Sequence, residues 1–267
     1  MGLEFVPNLD APWNPTLKAV GVVAALESEA RVLGRAQPNG ARATSAKGAP
    51  RFRILALSDG SMLALSGIGG SAATRAANAL IEAGAGALMT FGMAGGLDPR
   101  LEAGSVLLPT EVIARDGARW PTARAWRERL SAALSPHCAV LDGSVLSSDT
   151  SIDSPRAKAE LFRETGAAAV DMESVAVARI AADHRLPFLC VRVIVDTAAD
   201  ALPRAVVAAS REGRVRIGRL IGGLIVAPAD VAAVIRLGWR YRSAMRVLKM
   251  VARAGSFAPL ESETLFA

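Results

Sequence analysis

Cysteine and histidine are scarce in this chain of 267 residues, which contains two of each. Cys138 and Cys190 are too few for a disulfide scaffold or a multi-cysteine zinc site. With only His137 and His184 beside them, we expect no metal. The longest uncharged run, residues 83–97, has 15 residues and five glycines, whereas a membrane-spanning helix needs about 20 strongly apolar residues. These absences predict a protein without a disulfide framework, a metal centre or a transmembrane span.

The N-terminal segment lacks the features of a secretory signal, because it carries an acidic residue and no basic stretch. Residues 1–16 contain three prolines and no periodic pattern, and we interpret them as a tail. Together with the absence of paired cysteines, these features predict a cytoplasmic protein.

Hydrophobic residues make up 51% of the chain and charged residues 21%, which predicts a globular protein with one large core. From Ala19 onward, short apolar runs alternate with helical patterns, as is typical of an α/β domain with a mixed sheet. We therefore predict a single three-layer domain whose central mixed sheet is flanked by helices. Residues 17–203 are expected to form its core, and residues 204–267 a basic helical extension of the same domain.

Several local elements are predicted from turn signals. Asp59-Gly60 separates two short apolar runs, which indicates a β-hairpin. The glycine turn at residues 67–70 opens an alanine-rich helix. A strand over residues 87–91 is expected to run into a second glycine turn at residues 92–96. A long buried strand over residues 187–195 is expected to end at the following aspartate.

The positive charge of the chain, +6 overall, is concentrated near the C-terminal end. Between Arg204 and Arg253, eleven basic and two acidic residues give a net charge of +9, so the remainder is net negative. A helix is predicted from Asp230, a favourable N-cap, to about Ala252. One apolar stripe follows this helix, and basic side chains with Trp239 occupy its other side. The stripe is Val234, Leu237, Tyr241, Met245, Leu248 and Val251, and the basic residues are Arg236, Arg240, Arg242, Arg246, Lys249 and Arg253.

This basic helix has three interpretations at the level of sequence. It is a surface helix docked on the core, it binds nucleic acid, or it lies at an anionic membrane surface with Trp239 at the interface. Only one tyrosine and no known motif accompany the charge, so we expect no nucleic-acid partner. The other two interpretations remain equally open.

Carboxylates lie near the ends of predicted strands, where an open α/β sheet has its ligand crevice. Asp196 ends a buried strand, Glu173 begins a helix, and Glu29 follows the first strand. Glu173 also has an ordinary explanation, because acidic residues are favoured at helix starts by the helix dipole. A lone glutamate such as Glu29 is usually a solvated helix residue. The glycine turns at residues 67–70 and 92–96 could seat an anion on backbone N–H groups, although either turn alone is a weak signal.

Five short segments, taken in order and spacing, resemble the nucleoside phosphorylase and nucleosidase superfamily, and most of all the methylthioadenosine/S-adenosylhomocysteine nucleosidases. They are Val20-Gly-Val-Val-Ala-Ala-Leu-Glu-Ser-Glu29, Ser66-Gly-Ile-Gly69, Gly92-Met-Ala-Gly-Gly96, Val170-Asp-Met-Glu173 and Val191-Arg-Val-Ile-Val-Asp196. The last three are similar to the family's Gly-Ser-Ala-Gly-Gly, Val-Glu-Met-Glu and Val-Arg-Ala-Ile-Ser-Asp. The resemblance covers residues 19–200 and implies a nucleoside phosphorylase-like fold, no cofactor and a homo-oligomer, with a dimer favoured.

Two features narrow this resemblance to a branch. Residues 111–126 are more compact than in the methylthioadenosine enzymes, and residues 201–240 have no counterpart there. The chain looks like the hopanoid-associated branch, which implies removal of adenine from adenosylhopane to leave ribosylhopane. The alternatives are a purine nucleoside phosphorylase, a methylthioadenosine/S-adenosylhomocysteine nucleosidase, and a purine-nucleoside-binding module without activity. The intact Asp196, Glu173 and Glu29 argue against the last.

The resemblance also implies a role for individual residues. Asp196 is the acid that protonates the leaving purine, so we expect burial to raise its pKa. Glu173 would bind the ribose hydroxyls, Met172 would lie against the sugar, and Leu26 would form a wall of the pocket for the 5′ group. The nucleophile or anion site would consist of Gly67, Gly69, Met93, Ala94 and Gly95.

The choice between water and phosphate as nucleophile decides between a hydrolase and a phosphorylase. Glu29 stands where the nucleosidases have an acidic residue, and a carboxylate there would repel phosphate. Arg192 matches the arginine that helps to hold the water. Met93 and Val195 depart from the family, which has a serine at both positions. We favour hydrolysis.

Phosphate would be a co-substrate only in the phosphorylase alternative, where Arg31 and Arg35 could contact it. We favour the interpretation of these two residues as solvent-facing helix arginines. The expected partner is a small-molecule nucleoside that carries a lipid in the hopanoid branch. A lipid-bearing substrate favours peripheral contact with the inner face of the membrane.

Overall fold

The computed structural model describes residues 19–34, 54–202 and 230–254. The predicted N-terminal tail, Arg35 and the basic segment at residues 204–229 lie outside the described residues. The described strands are β1 (Val20–Ala24), β2 (Ile54–Ala56), β3 (Met62–Leu65), β4 (Ala87–Gly96), β5 (Val106–Leu107), β6 (Glu111–Ile113), β7 (Arg119–Pro121), β8 (Val140–Leu141), β9 (Ser144–Ser147), β10 (Ala169–Asp171) and β11 (Phe188–Asp196). The described helices are α1 (Glu27–Val32), α2 (Gly70–Glu82), α3 (Arg124–Leu134), α4 (Pro155–Thr165), α5 (Ser174–Asp183) and α6 (Asp230–Ala254).

The strands form one mixed sheet, as the sequence predicts. Its main path runs β2-β3-β1-β4-β10-β9-β6-β7, and β11, β5 and β8 branch from β4. β4 is the axis of this sheet, because it pairs in parallel with β1 and β11 and antiparallel with β10. Its mostly apolar residues are buried almost throughout, as expected for a strand covered on both faces.

Helices cover both faces of the sheet and give the predicted three layers. α2 and α5 pack against each other on one face, where their alanines and valines join the buried cluster that includes Val23 and Leu88. α1, α3 and α6 cover the other face, where they bury residues that include Phe91 and Val191. The carboxyl ends of β1, β4 and β11 meet at the edge between these helical layers.

Some predicted elements are confirmed and others need correction. The hairpin at Asp59-Gly60 is confirmed, because β2 and β3 pair antiparallel on either side of it. The glycine turn predicted at residues 92–96 is wrong, because β4 continues to Gly96. These residues stay in the sheet since they pair with β11 and then with β10. Residues 140–147 contain two short strands, β8 and β9, and β7 and β10 are strands that the sequence patterns did not indicate.

Helix α6 packs its apolar stripe on the core, which supports the first of the three sequence interpretations. Ala244, Leu248 and Val251 have no exposed surface, and they pack with α3 and the sheet. The predicted stripe is therefore not available as a face for a bilayer. Within the described ranges, no helix combines the length and the apolar character that crossing a membrane requires.

Candidate active site

Glu29 is buried at the start of α1, beside the carboxyl end of β4. Its Oε2 accepts the Leu26 N–H at 2.9 Å, as in half of a capping box, and its Oε1 accepts the Met93 N–H at 2.9 Å. A Cβ atom at Gly92 would lie 2.6 Å from Oε1, so only glycine leaves room for the carboxylate. The first and third family-like segments therefore meet at this side chain.

Asp196 reaches the same place from the end of β11. The pairing of β11 with β4 shifts its register between Ile194 and Asp196, which marks a β-bulge. Consecutive side chains of a regular strand point to opposite faces, whereas a bulge can redirect one of them. Here Val195 and Asp196 both line one cavity. A Cβ atom at Gly95 would lie 3.2 Å from Asp196 Oδ2, so the carboxylate rests directly on the β4 backbone.

Glu173 is the third buried carboxylate, and it stands at the N-cap of α5. Its Oε1 accepts the Gly69 N–H at 2.8 Å, and its Oε2 accepts the Met172 N–H at 3.3 Å. Gly69 has φ of 101°, a left-handed conformation that glycine adopts without strain and that directs this N–H at the carboxylate. The glycine turn thus holds a protein carboxylate.

Arg192 and Asp171 form a buried ion pair behind these residues. The Arg192 guanidinium donates from Nε to Asp171 Oδ2 at 2.8 Å and from Nη2 to Ser174 Oγ at 2.8 Å. Ser147 and Ser174 also donate to the Asp171 carboxylate. Asp171 Oδ1 accepts the backbone N–H groups of residues 173 and 174, so the carboxylate caps α5 as well. This cluster fixes the corner that carries Glu173.

These carboxyl groups fall into two kinds, those with a raised pKa and one with a lowered pKa. Burial raises the pKa of Glu29, although two backbone N–H groups and the charge of Arg192 oppose the rise. Burial and the neighbouring Asp171 charge raise the pKa of Glu173 to about 7. Burial also raises the pKa of Asp196, against the opposing charges of Lys158 and Arg240.

The pKa of Asp171 is shifted in the opposite direction, below its usual range. Burial alone would raise its pKa, but Arg192, Ser147 and Ser174 together hold that pKa below its usual range. Burial would lower the pKa of the Arg192 guanidinium, yet the charges of Asp171, Cys190 and Glu173 and the hydrogen bond to Asp171 together outweigh it and raise that pKa. Asp171 and Arg192 therefore remain charged, whereas burial favours the protonated form of the other three carboxyl groups.

A cavity of about 290 Å³ brings the three carboxylates together. Its other walls are mostly apolar and come from both ends of the chain. They include Leu26, Ile68, Met93, Ile152, Met172, Val195, Leu202, Leu237 and Tyr241. A few convergent acidic groups in an apolar cleft, with shifted pKa values, are typical of a catalytic pocket that binds a largely apolar ligand.

The structure brings together most of the residues that the sequence indicated. Glu29, Asp196, Glu173, Met172, Leu26, Met93, Ala94 and Gly95 all line the cavity. Arg192 and Gly67 are not among its lining residues, and Gly69 contributes the N–H that Glu173 accepts. Arg31 is exposed and pairs with Glu27, in agreement with its interpretation as a solvent-facing arginine.

Three contributions to the site were missed by sequence reasoning. Lys158 on α4 is fully buried and pairs with Asp196. Arg240, predicted among the outward basic residues, pairs instead with Asp200 in the turn after β11. Leu237 and Tyr241 of α6 line the cavity. The position of Tyr241 in an apolar stripe was the available sign that α6 contributes to the site. The single lysine in helix α4 gave no sign that α4 does.

This arrangement of carboxyl groups can perform acid–base chemistry on a ligand bound in the cavity. Glu29 lies on the α1 side, Asp196 lies at the end of β11, and Glu173 lies at the start of α5. A pair of carboxyl groups with raised pKa values can donate a proton to a leaving group and accept one from a nucleophile.

Comparison with known proteins assigns the chain to a family. The family described as the phosphorylase superfamily matches residues 19–225. A 5′-methylthioadenosine/S-adenosylhomocysteine nucleosidase of Psychromonas ingrahamii is 27% identical over 200 residues, which are 67% of this chain and 86% of that protein.

Solved structures of nucleosidases and of another hydrolase have a similar fold. The nucleosidase of the same name from Neisseria meningitidis, in complex with methylthio-immucillin-A, has a TM-score of 0.67 at 25% identity and covers 89% of this chain and 98% of its own. Futalosine hydrolase of Helicobacter pylori strain 26695 shares the fold with a TM-score of 0.62 at 17% identity, covering 90% of this chain and 99% of its own. The family match over most of the chain shows that this protein belongs to the phosphorylase superfamily of enzymes.

Proposed function

We propose that this protein hydrolyses the N-glycosidic bond of a 5′-substituted adenosine, and that its substrate is adenosylhopane, which it converts to ribosylhopane and adenine. The observation that carries the proposal is the meeting of Glu29, Glu173 and Asp196 in one cavity whose other walls are mostly apolar, with Asp171, Thr150 and Ser151 also lining it. The acidic groups supply the chemistry of glycosidic cleavage, and the apolar walls suit a hydrocarbon substituent.

Cleavage of a purine N-glycosidic bond builds positive charge on the ribose and negative charge on the base. Asp196 protonates the purine so that it leaves as a neutral molecule, which fits the raised pKa of its buried carboxyl group. Glu173 accepts hydrogen bonds from the ribose hydroxyls and stabilises the cationic sugar. Met172 lines the same cavity and packs against the sugar. Glu29 orients the water and takes its proton.

Hydrolysis is favoured over phosphorolysis by the charge of the cavity. None of the described residues that line it is a lysine or an arginine, whereas a phosphorylase surrounds its anion with cations and N–H groups. The N–H groups of Met93 and Gly69, which could bind a phosphate, donate to Glu29 and Glu173. The described part of the site therefore presents carboxylates at the position where a phosphate would bind.

A large apolar 5′ group is favoured by the walls that α6 adds. Leu237 and Tyr241 line the cavity together with Leu26 and Leu202, so residues from three parts of the chain enclose an apolar space. A methylthio group needs little of this surface, whereas a polycyclic hydrocarbon would bury much of it. Each square ångström of apolar surface removed from water contributes about 25 cal/mol.

We also propose that the outward face of α6 contacts an anionic membrane surface. With its apolar stripe on the core, α6 turns another stripe outward. Ile235 and Trp239 are 54% and 67% exposed, and Arg242, Arg246, Lys249 and Arg253 continue along the same face. The two exposed apolar side chains are each two residues from Leu237, so they lie on the face of α6 opposite to the cavity. Such a face would dock on acidic headgroups.

The test is product analysis after incubation of the purified protein with adenosylhopane, in the presence and absence of phosphate. The proposal expects adenine and ribosylhopane in both conditions. A ribose 1-phosphate product with strict phosphate dependence would establish the phosphorylase alternative. If adenosine analogues bind but no adenine is released, the protein is a nucleoside-binding module and the proposed activity is wrong.

The similarity to methylthioadenosine/S-adenosylhomocysteine nucleosidases supports a second candidate, which is the same hydrolysis of 5′-methylthioadenosine or S-adenosylhomocysteine. The two candidates differ only in the 5′ group. Comparison of kcat/KM for adenosylhopane and 5′-methylthioadenosine separates them, and we expect the larger value for adenosylhopane.

A further inference from the structure

The ammonium group of Lys158 is buried in α4, next to the carboxylate at the end of β11. Its side chain has no exposed surface. It donates to Asp196 Oδ2, to the Thr197 carbonyl at 2.7 Å and to the Asp200 carbonyl at 3.0 Å. All three of its N–H bonds are thus used within the Asp196–Asp200 turn.

A buried ammonium group is costly unless its charge is paired and its hydrogen bonds are satisfied. Leu161, the other buried residue of α4, shows that this face is compatible with an apolar residue. Stability alone therefore gives little reason for a lysine at this position. The three acceptors that Lys158 binds all belong to the segment that begins with Asp196.

The geometry of the Asp196 carboxylate leaves one oxygen for the substrate. Oδ2 is held by Lys158, and both carboxylate oxygens rest against β4, since a Cβ atom at Gly95 would lie 3.2 Å from Oδ2 and 3.4 Å from Oδ1. The carboxylate also lines the cavity, so Oδ1 is the oxygen that can face a ligand. Rotation about the side-chain bonds would break the contact with Lys158.

We propose that Lys158 is a positioning residue for the leaving-group acid, which pins Asp196 by one carboxyl oxygen and presents the other oxygen to the departing purine. This inference rests on the proposed function. When the bond from C1′ to the purine breaks, its electron pair passes to the base, and the base takes the proton carried by Asp196. Water adds its hydroxyl to C1′ and gives its other proton to Glu29. Lys158 keeps its charge throughout, and the proton returns from Glu29 to Asp196 through solvent.

Charge also links the two side chains. Asp196 faces Lys158 from α4 and Arg240 from α6, and Asp200 lies in the same turn, while Glu29 and Glu173 share the cavity. Burial raises the pKa of Asp196 and Lys158 opposes the rise. An acid donates best when its pKa lies near the working pH, so a cation that limits the rise makes the proton easier to transfer.

The experiment compares Lys158→Met with Arg163→Met, which removes an exposed cation from the same helix. Two substrates are used, the 5′-substituted adenosine and 4-nitrophenyl riboside, whose leaving group departs as a stable anion without a proton. We expect Lys158→Met to lower kcat for the adenosine about 10- to 100-fold with little change in KM. The rate with the nitrophenyl substrate should stay within threefold of wild type, and Arg163→Met should match wild type on both substrates.

The pH profile provides a second readout. Without Lys158, the descending limb for the adenosine should move to higher pH, because Asp196 keeps its proton longer. Equal loss on both substrates, or an unmoved limb, would overturn the inference and leave Lys158 a structural residue. If Lys158→Met does not fold, Lys158→Gln is measured in the same way, because it removes the charge and keeps one hydrogen-bond donor.

Failure of the proposed function can be distinguished from failure of this inference. If wild-type protein releases no adenine, the proposed function is wrong. The inference is then judged by the titration of the Asp196 carboxyl carbon, followed by ¹³C NMR in wild type and Lys158→Met. A higher pKa in the variant supports the pairing role, and an unchanged pKa overturns it.

Discussion

Tyr241 Oη donates a hydrogen bond of 2.7 Å to Ser28 Oγ, and so joins two helices that lie more than 200 residues apart in the sequence. Tyr241 belongs to α6 and Ser28 to α1, next to Glu29. Because Tyr241 also lines the cavity, the bond closes its wall on the side of the proposed nucleophile.

The wall formed by α6 should control the response to the 5′ group. Leu237→Ala removes apolar surface from the cavity, and we expect kcat/KM for adenosylhopane to fall about 10-fold, since buried leucine side chains contribute roughly 1.5–3 kcal/mol. The value for unsubstituted adenosine should change less than threefold. Ile235→Ala, at an exposed position on the same helix, is the control with soluble substrates. Equal losses on both nucleosides would show that α6 does not contact the 5′ group.

Asp196→Asn should nearly abolish adenine release while the protein stays folded. Removal of a general acid typically costs about 100- to 10,000-fold in rate. Asp183→Asn, at the exposed end of α5, is the matched control and should behave as wild type. Initial rates and circular dichroism of both variants provide the check. Activity of Asp196→Asn within threefold of wild type would exclude this residue from the mechanism.

Glu29→Gln should cause a loss of at least about 100-fold, because an amide cannot take the proton of the attacking water. Glu27→Gln makes the same change at an exposed residue one half-turn away, and we expect full activity from it. Rates are measured in phosphate-free buffer and with added phosphate. A small effect of Glu29→Gln together with phosphate dependence would be the result of a phosphorylase.

Glu173 should make the stability of the folded protein depend on pH. Its pKa is raised from 4.5 to about 7, so the folded state binds a proton that the unfolded state releases. The stability that this proton provides is complete below pH 4.5 and is lost as the pH rises through about 7. At 1.36 kcal/mol per pKa unit, the loss reaches at most about 3 kcal/mol.

Urea denaturation at pH 5 and pH 8 measures this dependence. The difference in unfolding free energy between the two pH values should be smaller in Glu173→Gln than in wild type, since the glutamine does not titrate. Glu164→Gln, an exposed residue of α4, should leave the difference unchanged. An equal difference in wild type and Glu173→Gln would show that the pKa of Glu173 is not raised.

The outward face of α6 should bind anionic liposomes in a salt-sensitive way and neutral liposomes poorly. Each basic residue near an anionic surface contributes on the order of 1 kcal/mol, and salt screens the attraction. Arg242→Glu with Arg246→Glu should weaken sedimentation with the vesicles, whereas Arg75→Glu with Arg163→Glu, the same charge change elsewhere, should have little effect. If the wild-type protein does not sediment at low salt, the membrane proposal is wrong and the glycosidic chemistry is unaffected.

The sequence predicts the three-layer fold and the cavity carboxylates because both depend on local patterns. Apolar runs mark the buried strands, and Glu29, Glu173 and Asp196 are each the last residue of one of the short family-like segments. The continuation of β4 through Gly92 and Gly95 could not be predicted, because glycine clusters normally break strands. In this protein the missing side chains provide the space that two carboxylates occupy.

Contacts between residues distant in sequence explain the other differences between the predicted and the observed structure. Lys158 has ordinary helical neighbours in sequence, and only the packing of α4 against the end of β11 shows its partner. Arg240 has the spacing of a solvent-facing arginine, yet the turn after β11 brings Asp200 to it. Pair interactions of this kind depend on tertiary contacts, which a single sequence does not encode in its periodicity.

The double role of α6 has a consequence for the design of shortened or chimaeric versions of the protein. The same helix fills the core with Leu248 and Val251 and walls the cavity with Leu237. A truncation before residue 230 would therefore uncover the hydrophobic interior and open the pocket in a single step. An exchange of α6 between relatives would transfer substrate preference only if its core-facing residues also matched the host sheet, so selectivity and foldability must be engineered together.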